Sequence, residues 1–152
     1  MTSTRITRRV AAPRAAVYRA LLDPEAIAVW RVPSGMSSRV HVFEPREGGS
    51  FRVTLTYQEP TGTGKTTEHA DTYHGRFAEL VPDERVVELV TFETADPALA
   101  GEMRITTTLA DAVGGTEITA VHDNLPPGLS PTQNEAGWRE SLDKLAALVE
   151  RR

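Results

Sequence analysis

The stretch over residues 130–150 limits the fold more than any other part of the chain. Ser130-Pro131-Thr132-Gln133 has the form of a capping box: a hydroxyl to hold a free amide, proline where no N–H is needed, and glutamine three positions on. From Pro131 to Glu150 this predicts one helix, about 30 Å long at 1.5 Å per residue. Trp138, Leu142, Leu145 and Val149 recur along it at i, i+4, i+7 and i+11, a single apolar stripe on an otherwise polar rod. Such a helix needs a surface to lie on.

The preceding residues supply that surface as strands. Phe51, Val53, Leu55 and Tyr57 alternate with Arg52, Thr54 and Thr56, the period of a half-buried strand. Thr4–Val10, the region of Val40 and Val42, and residues 69–80, 85–94, 102–109 and 116–122 read the same way. Turn signals separate them, among them Pro82-Asp83, Asp96-Pro97 and Gly114-Gly115, the last expected to be a hairpin turn with both glycines at positive φ. Two short helices are expected after the first strand: one over 13–22 opened by Pro13, and one opened by Asp23-Pro24 and ending near Trp30. The order β, α, α, six strands and one long helix makes an α+β fold in which a curved antiparallel sheet wraps the terminal helix. Residues 1–152 read as one domain, without repeat, coiled coil or linker.

Composition removes several chemistries. The chain has no cysteine, so disulfides, thiolate nucleophiles and cysteine-based metal sites are absent. Its longest apolar run, Leu145-Ala146-Ala147-Leu148-Val149, is far below the ~18–20 residues of a membrane span. The first residues lack the apolar core of a secretory signal, so a cytoplasmic protein with no membrane partner is expected. The net charge is −4, and the arginines are scattered rather than set in a basic stripe among aromatics, which argues against a nucleic-acid partner. Gly62-Thr63-Gly64-Lys65-Thr66 has the ending of a phosphate-binding loop. Glu59 occupies the position of the required earlier glycine, and a strand rather than a helix follows, so a hairpin tip is expected. His69 and His74 have opposite parity on one strand, and His41 and His122 lie far from both in sequence, so no metal or other cofactor is expected. No G-x-S-x-G elbow for a serine hydrolase exists.

Parity selects the polar residues that share a face with the core. In the last strand His122 falls with Ile118 and Ala120; in the 85–94 strand Glu88 falls with Val86, Val90 and Phe92. A carboxylate there needs a partner or a raised pKa. A single bulge would reverse the assignment, turning Val87, Leu89 and Thr91 inward and Glu88 to solvent. Tyr57 and Tyr73 can each bring one hydroxyl into an apolar pocket. The candidate ligand-binding set is therefore Tyr57, Tyr73, Phe77, Glu88, Val90, His122, Trp138 and Leu142, with Glu88 and His122 as the candidate acid–base pair if the protein turns over a substrate.

Taken in order, Val10-Ala11-Ala12-Pro13 with Val17-Tyr18-Arg19-Ala20-Leu21, Asp23-Pro24-Glu25 and Trp30, then Gly48-Gly49-Ser50-Phe51, Gly75-Arg76-Phe77 with Glu79-Leu80 and Pro82, Gly115-Thr116, and Gly137-Trp138 with Leu142 and Leu145, form one pattern. This pattern resembles the START/Bet v 1-like (SRPBCC) superfamily, and within it the branch named after the activator of Hsp90 ATPase. The resemblance spans about residues 4 to 150. It implies a helix-grip: a bent seven-stranded antiparallel sheet around the C-terminal helix, with a cavity between them closed by the two short helices. Members of the superfamily bind lipids, hormones or polyketides, and some catalyse cyclisation or dehydration. The resemblance thus implies a binding protein for a hydrophobic or amphipathic small molecule. The alternative is a cofactor-independent cyclase or dehydratase using His122 and Glu88, and a third reading is a chaperone-associated interaction protein. The branch's eukaryotic co-chaperone has an extra N-terminal domain, for which a pattern starting at residue 4 leaves no room. The same reading allows a homodimer.

Overall fold

Seven strands pair antiparallel in the computed structural model, which describes residues 2–58 and 70–151. They are β1 (Thr4–Val10), β2 (Met36–Phe43), β3 (Ser50–Tyr57), β4 (Ala70–Val81), β5 (Arg85–Phe92), β6 (Glu102–Ala112) and β7 (Gly115–Asp123). The helices are α1 (Arg14–Leu21), α2 (Pro24–Trp30) and α3 (Pro131–Glu150), and a single 3-10 turn covers Pro97–Leu99. The sheet order is β1-β7-β6-β5-β4-β3-β2. Strands β1 and β2 follow each other in the chain yet form opposite edges, so α1 and α2 carry the chain from one edge to the other. The result is the α+β helix-grip, a curled half-barrel with α3 packed on its concave side. The Lys65 loop, and His69 with it, lie outside the described residues.

The caps act as the sequence implies. The Asp23 carboxylate accepts from the Glu25 amide at 2.9 Å, and the Ser130 hydroxyl accepts from the Gln133 amide at 3.2 Å, each ahead of a proline in the first turn. Leu142, Leu145, Ala146 and Val149 of α3 are buried against concave-face residues that include Ile6, Phe51, Val86, Ile105 and Ile118. Removing most of a side chain such as Leu142 from this seam costs about 2–5 kcal/mol in comparable cores.

Two local details differ from the sequence expectation, each for a steric reason. Ala112 pairs with Gly115, so the two-residue hairpin loop is Val113-Gly114 and only Gly114, at φ +79°, is left-handed. Gly115 belongs to β7. A Cβ there would lie 2.0 Å from the carbonyl oxygen of Val10, so glycine lets β1 close onto the sheet. A bulge does occur near Glu88, but on the neighbouring strand: the β4–β5 register shifts between Phe77 and Glu79 while β5 pairs continuously with β6. The alternation of Val86, Glu88 and Val90 therefore survives, and Glu88 is buried on the concave side.

Candidate ligand cavity

The register of the sheet sets Phe77, Glu88, Ile105, His122 and Thr4 side by side, one transverse row across five strands, every member buried. Antiparallel neighbours stand about 5 Å apart, so Glu88 and His122, with Ile105 between them, are separated by about 10 Å along the sheet. They are not paired with each other. Each has partners of its own, brought by a different helix.

Arg31, the residue that ends α2, reaches Glu88: its Nη1 donates to the carboxylate Oε1 at 2.7 Å, and both side chains are almost wholly buried. The guanidinium also lies 5.2 Å from the ring centre of Tyr73 and 5.0 Å from that of Trp138, a cation between two aromatic faces. A buried carboxylate is costly without such a partner. Asn134, in the first turn of α3, reaches the other end of the row. Its Nδ2 is 3.3 Å from His122 Nδ1 and 3.1 Å from the Thr4 hydroxyl, which is itself 3.2 Å from the same ring nitrogen. The His122 ring meets Trp138 edge-on at 4.6 Å.

Electrostatics follow from these neighbours. Burial, and then the Arg31 cation, push the His122 pKa down to about 3, so the imidazole is neutral near pH 7. A carboxylate beside the ring would have favoured the imidazolium; Arg31 intervenes and reverses the sign. Burial raises the Tyr73 pKa, partly offset by Arg31, so its phenol keeps its proton. Tyr73 Oη and His122 Nε2 are buried and have no hydrogen-bond partner; Ser38 Oγ shares that condition among the described residues.

Both of those ring-bearing residues face a cavity of about 190 Å³ between α3 and the sheet, partly open to solvent. Arg31, Tyr73, Val90, His122, Asn134 and Trp138 are among its walls. Of the residues singled out from the sequence, Tyr73, Val90, His122 and Trp138 thus lie together on the cavity. The other four do not line it. Tyr57 is half-buried at the end of β3, Phe77 is packed between Phe43 and Phe51, Leu142 fills the helix–sheet seam, and Glu88 sits behind Arg31. Most of the remaining wall residues carry no signal of their own in the sequence, and two of them, Asn134 and Arg31, hold the polar groups of the site. Asn134 stands one helical turn before Trp138, a polar residue on the side of α3 that meets the sheet. Arg31 reads as a loop residue, and only the need of a buried Glu88 for a cation could have pointed to it.

Among the described residues no group of three or more histidine or carboxylate side chains could hold a metal ion, and no helix is long and apolar enough to cross a membrane.

The family model of activator of Hsp90 ATPase homolog 1-like proteins matches residues 11–150. A crystal structure of a protein from Chromobacterium violaceum is 34% identical, covers 97% of this chain and 96% of its own, and superposes with a TM-score of 0.87. A Rhodobacter sphaeroides protein is 23% identical over 99% of this chain and 94% of its own, with a TM-score of 0.79. An Aeromonas hydrophila protein, solved in solution and described as AHSA1-like, is 21% identical over 99% and 93%, with a TM-score of 0.74. At their lower identities these last two show the fold alone. None of the curated proteins matches the sequence.

Proposed function

The chain belongs to the activator of Hsp90 ATPase homolog 1-like family, and we propose that it is a cytoplasmic binding protein that takes an apolar or amphipathic small molecule between α3 and the sheet. One observation carries the proposal. Tyr73 and His122 line the cavity, and the hydroxyl of the one and Nε2 of the other are buried with no hydrogen-bond partner in the protein. Leaving a buried polar group unpaired costs about 1–3 kcal/mol each, a cost that a ligand group would relieve. Apolar walls with a few convergent polar atoms are the usual composition of a small-molecule site.

A cyclase or dehydratase would have to use His122 without Glu88, because Glu88 is bound to Arg31 and lies two strands away. Binding needs only the cavity. As to partners, it requires one small hydrophobic molecule and no second protein.

Gly137 provides the test. It lines the cavity, and a Cβ built on it meets no atom within 4 Å. Gly137→Leu should therefore fill the cavity while improving the helix, since glycine costs about 0.8–1.0 kcal/mol against alanine in a helix interior. Wild-type protein should bind toluene saturably at one site, quenching or shifting Trp138 fluorescence, and the variant should melt no lower yet bind none. Absence of toluene binding to the wild type, or equal binding to the folded variant, overturns the proposal.

A further inference from the structure

Resting on that reading of the cavity, we infer that His122 acts as a hydrogen-bond donor there, so that the site selects an uncharged molecule of about one ring carrying a carbonyl-type oxygen.

The donor role follows from what holds the other ring nitrogen. An amide nitrogen only donates. Asn134 Nδ2 lies 3.3 Å and the Thr4 hydroxyl 3.2 Å from Nδ1, and a lone pair on Nδ1 is the state that accepts from both; in a neutral imidazole the proton then sits on Nε2. The Thr4 hydroxyl, within reach of both Nδ1 and Asn134 Nδ2, fixes the ring from the same side. Nε2–H is left on the far side of the ring from this cluster, buried and unpaired, in a residue that lines the cavity. A group that donates without a partner calls for an acceptor atom in the ligand.

Charge decides which acceptor. Arg31 also lines the cavity, but Glu88 behind it already neutralises the guanidinium at 2.7 Å. A carboxylate ligand would add an unbalanced second negative charge to this buried pair, whereas a ketone or aldehyde oxygen accepts from Nε2–H with no charge to desolvate. The His122 ring supplies no cation to offset it, being neutral down to about pH 3. Size follows from volume. An apolar cavity of about 150 Å³ accommodates benzene, and about 190 Å³ extends that to roughly eight to ten non-hydrogen atoms.

Three probes of equal shape test this: acetophenone, α-methylstyrene, in which CH2 replaces the oxygen, and benzoate. Acetophenone should bind about 2- to 12-fold more tightly than α-methylstyrene, the range for the net worth of one hydrogen bond once the ketone's own desolvation is counted, and benzoate more weakly than acetophenone. His122→Phe should erase the preference and keep α-methylstyrene binding, because Thr4 and Asn134 retain each other as partners. Should that variant not fold, ring nitrogen spectra of the wild type decide: the proton should reside on Nε2, and acetophenone alone should shift it. Equal binding of acetophenone and α-methylstyrene, tighter binding of benzoate, or a proton on Nδ1 overturns the inference while the binding function stands. Failure of all three probes and of toluene removes both.

Discussion

The same three residue types, arginine, glutamate and histidine, meet on both faces of the sheet and do different things there. On the convex face Arg52 grips Glu93 through two nitrogens, at 2.7 and 2.9 Å, and His74 Nδ1 lies 3.0 Å from the same carboxylate. All three are partly exposed, and the Arg52 hydrogen bond is the main reason the Glu93 pKa is lowered. On the concave face Arg31 takes Glu88, whereas His122 is turned to Thr4 and Asn134. The convex cluster is closed upon itself and bathed in water. The concave one is buried, divided, and leaves one ring nitrogen unused. Burial, rather than residue identity, converts a surface ion cluster into a site with something left to bind.

The largest expected contrast lies between the two glutamates. Glu88→Ala strands the Arg31 charge in a nearly water-free position and should destabilise the protein by about 3–5 kcal/mol. Glu93→Ala removes a partly exposed pair and should cost no more than about 1 kcal/mol. Denaturant unfolding of both variants measures this, and equal losses would dissolve the distinction between the faces.

Acid sharpens the contrast next. The His122 pKa is about 3 in the folded protein against an ordinary 6.5, so between these values the unfolded chain binds the extra proton. Stability should therefore be complete above about pH 6.5 and fall as pH drops toward 3, by on the order of 4 kcal/mol from this residue. The Glu93 pKa is lowered as well, chiefly by the Arg52 hydrogen bond, so it too contributes stability above the ordinary carboxylate range that is lost as pH falls through its folded value, in a more acidic window than the onset of the His122 loss. His122→Phe should flatten the decline between pH 6.5 and 4.5; an unchanged slope would mean that the ring is wet.

Salt gives the smallest expected effect. Raising ionic strength from ~0.1 to ~1 M shortens the screening length from about 10 to 3 Å. The stability difference between wild type and Glu93→Ala should shrink accordingly, and that between wild type and Glu88→Ala should persist. Melting temperatures at the two salt levels suffice.

The architecture was legible because it is written in periodicities and caps. The stripe of α3, the Ser130 and Asp23 caps and the alternation of β5 each depend on neighbours in sequence. Glu88 and His122 could be put on the concave face for the same reason. Parity assigns a face, however, and does not say whether a neighbour already fills the space in front of a residue; hence Phe77 and Leu142 proved to be packing and Glu88 to lie behind a guanidinium. Arg31 was beyond reach, since its role depends on where the end of α2 comes to rest over β5, a tertiary fact. The Gly114-Gly115 turn misled by one residue because Gly115 serves the approach of Val10 rather than the turn.

The central claim is that the unpaired polar atoms of the concave face form a ligand site and the closed cluster of the convex face does not. Mapping NMR shifts while acetophenone is titrated into the wild-type protein tests it most directly. Saturable changes should appear at the His122 ring, the Tyr73 ring and the Trp138 indole, with His74 unmoved. Changes spread over both faces, or none at saturating probe, would contradict the account.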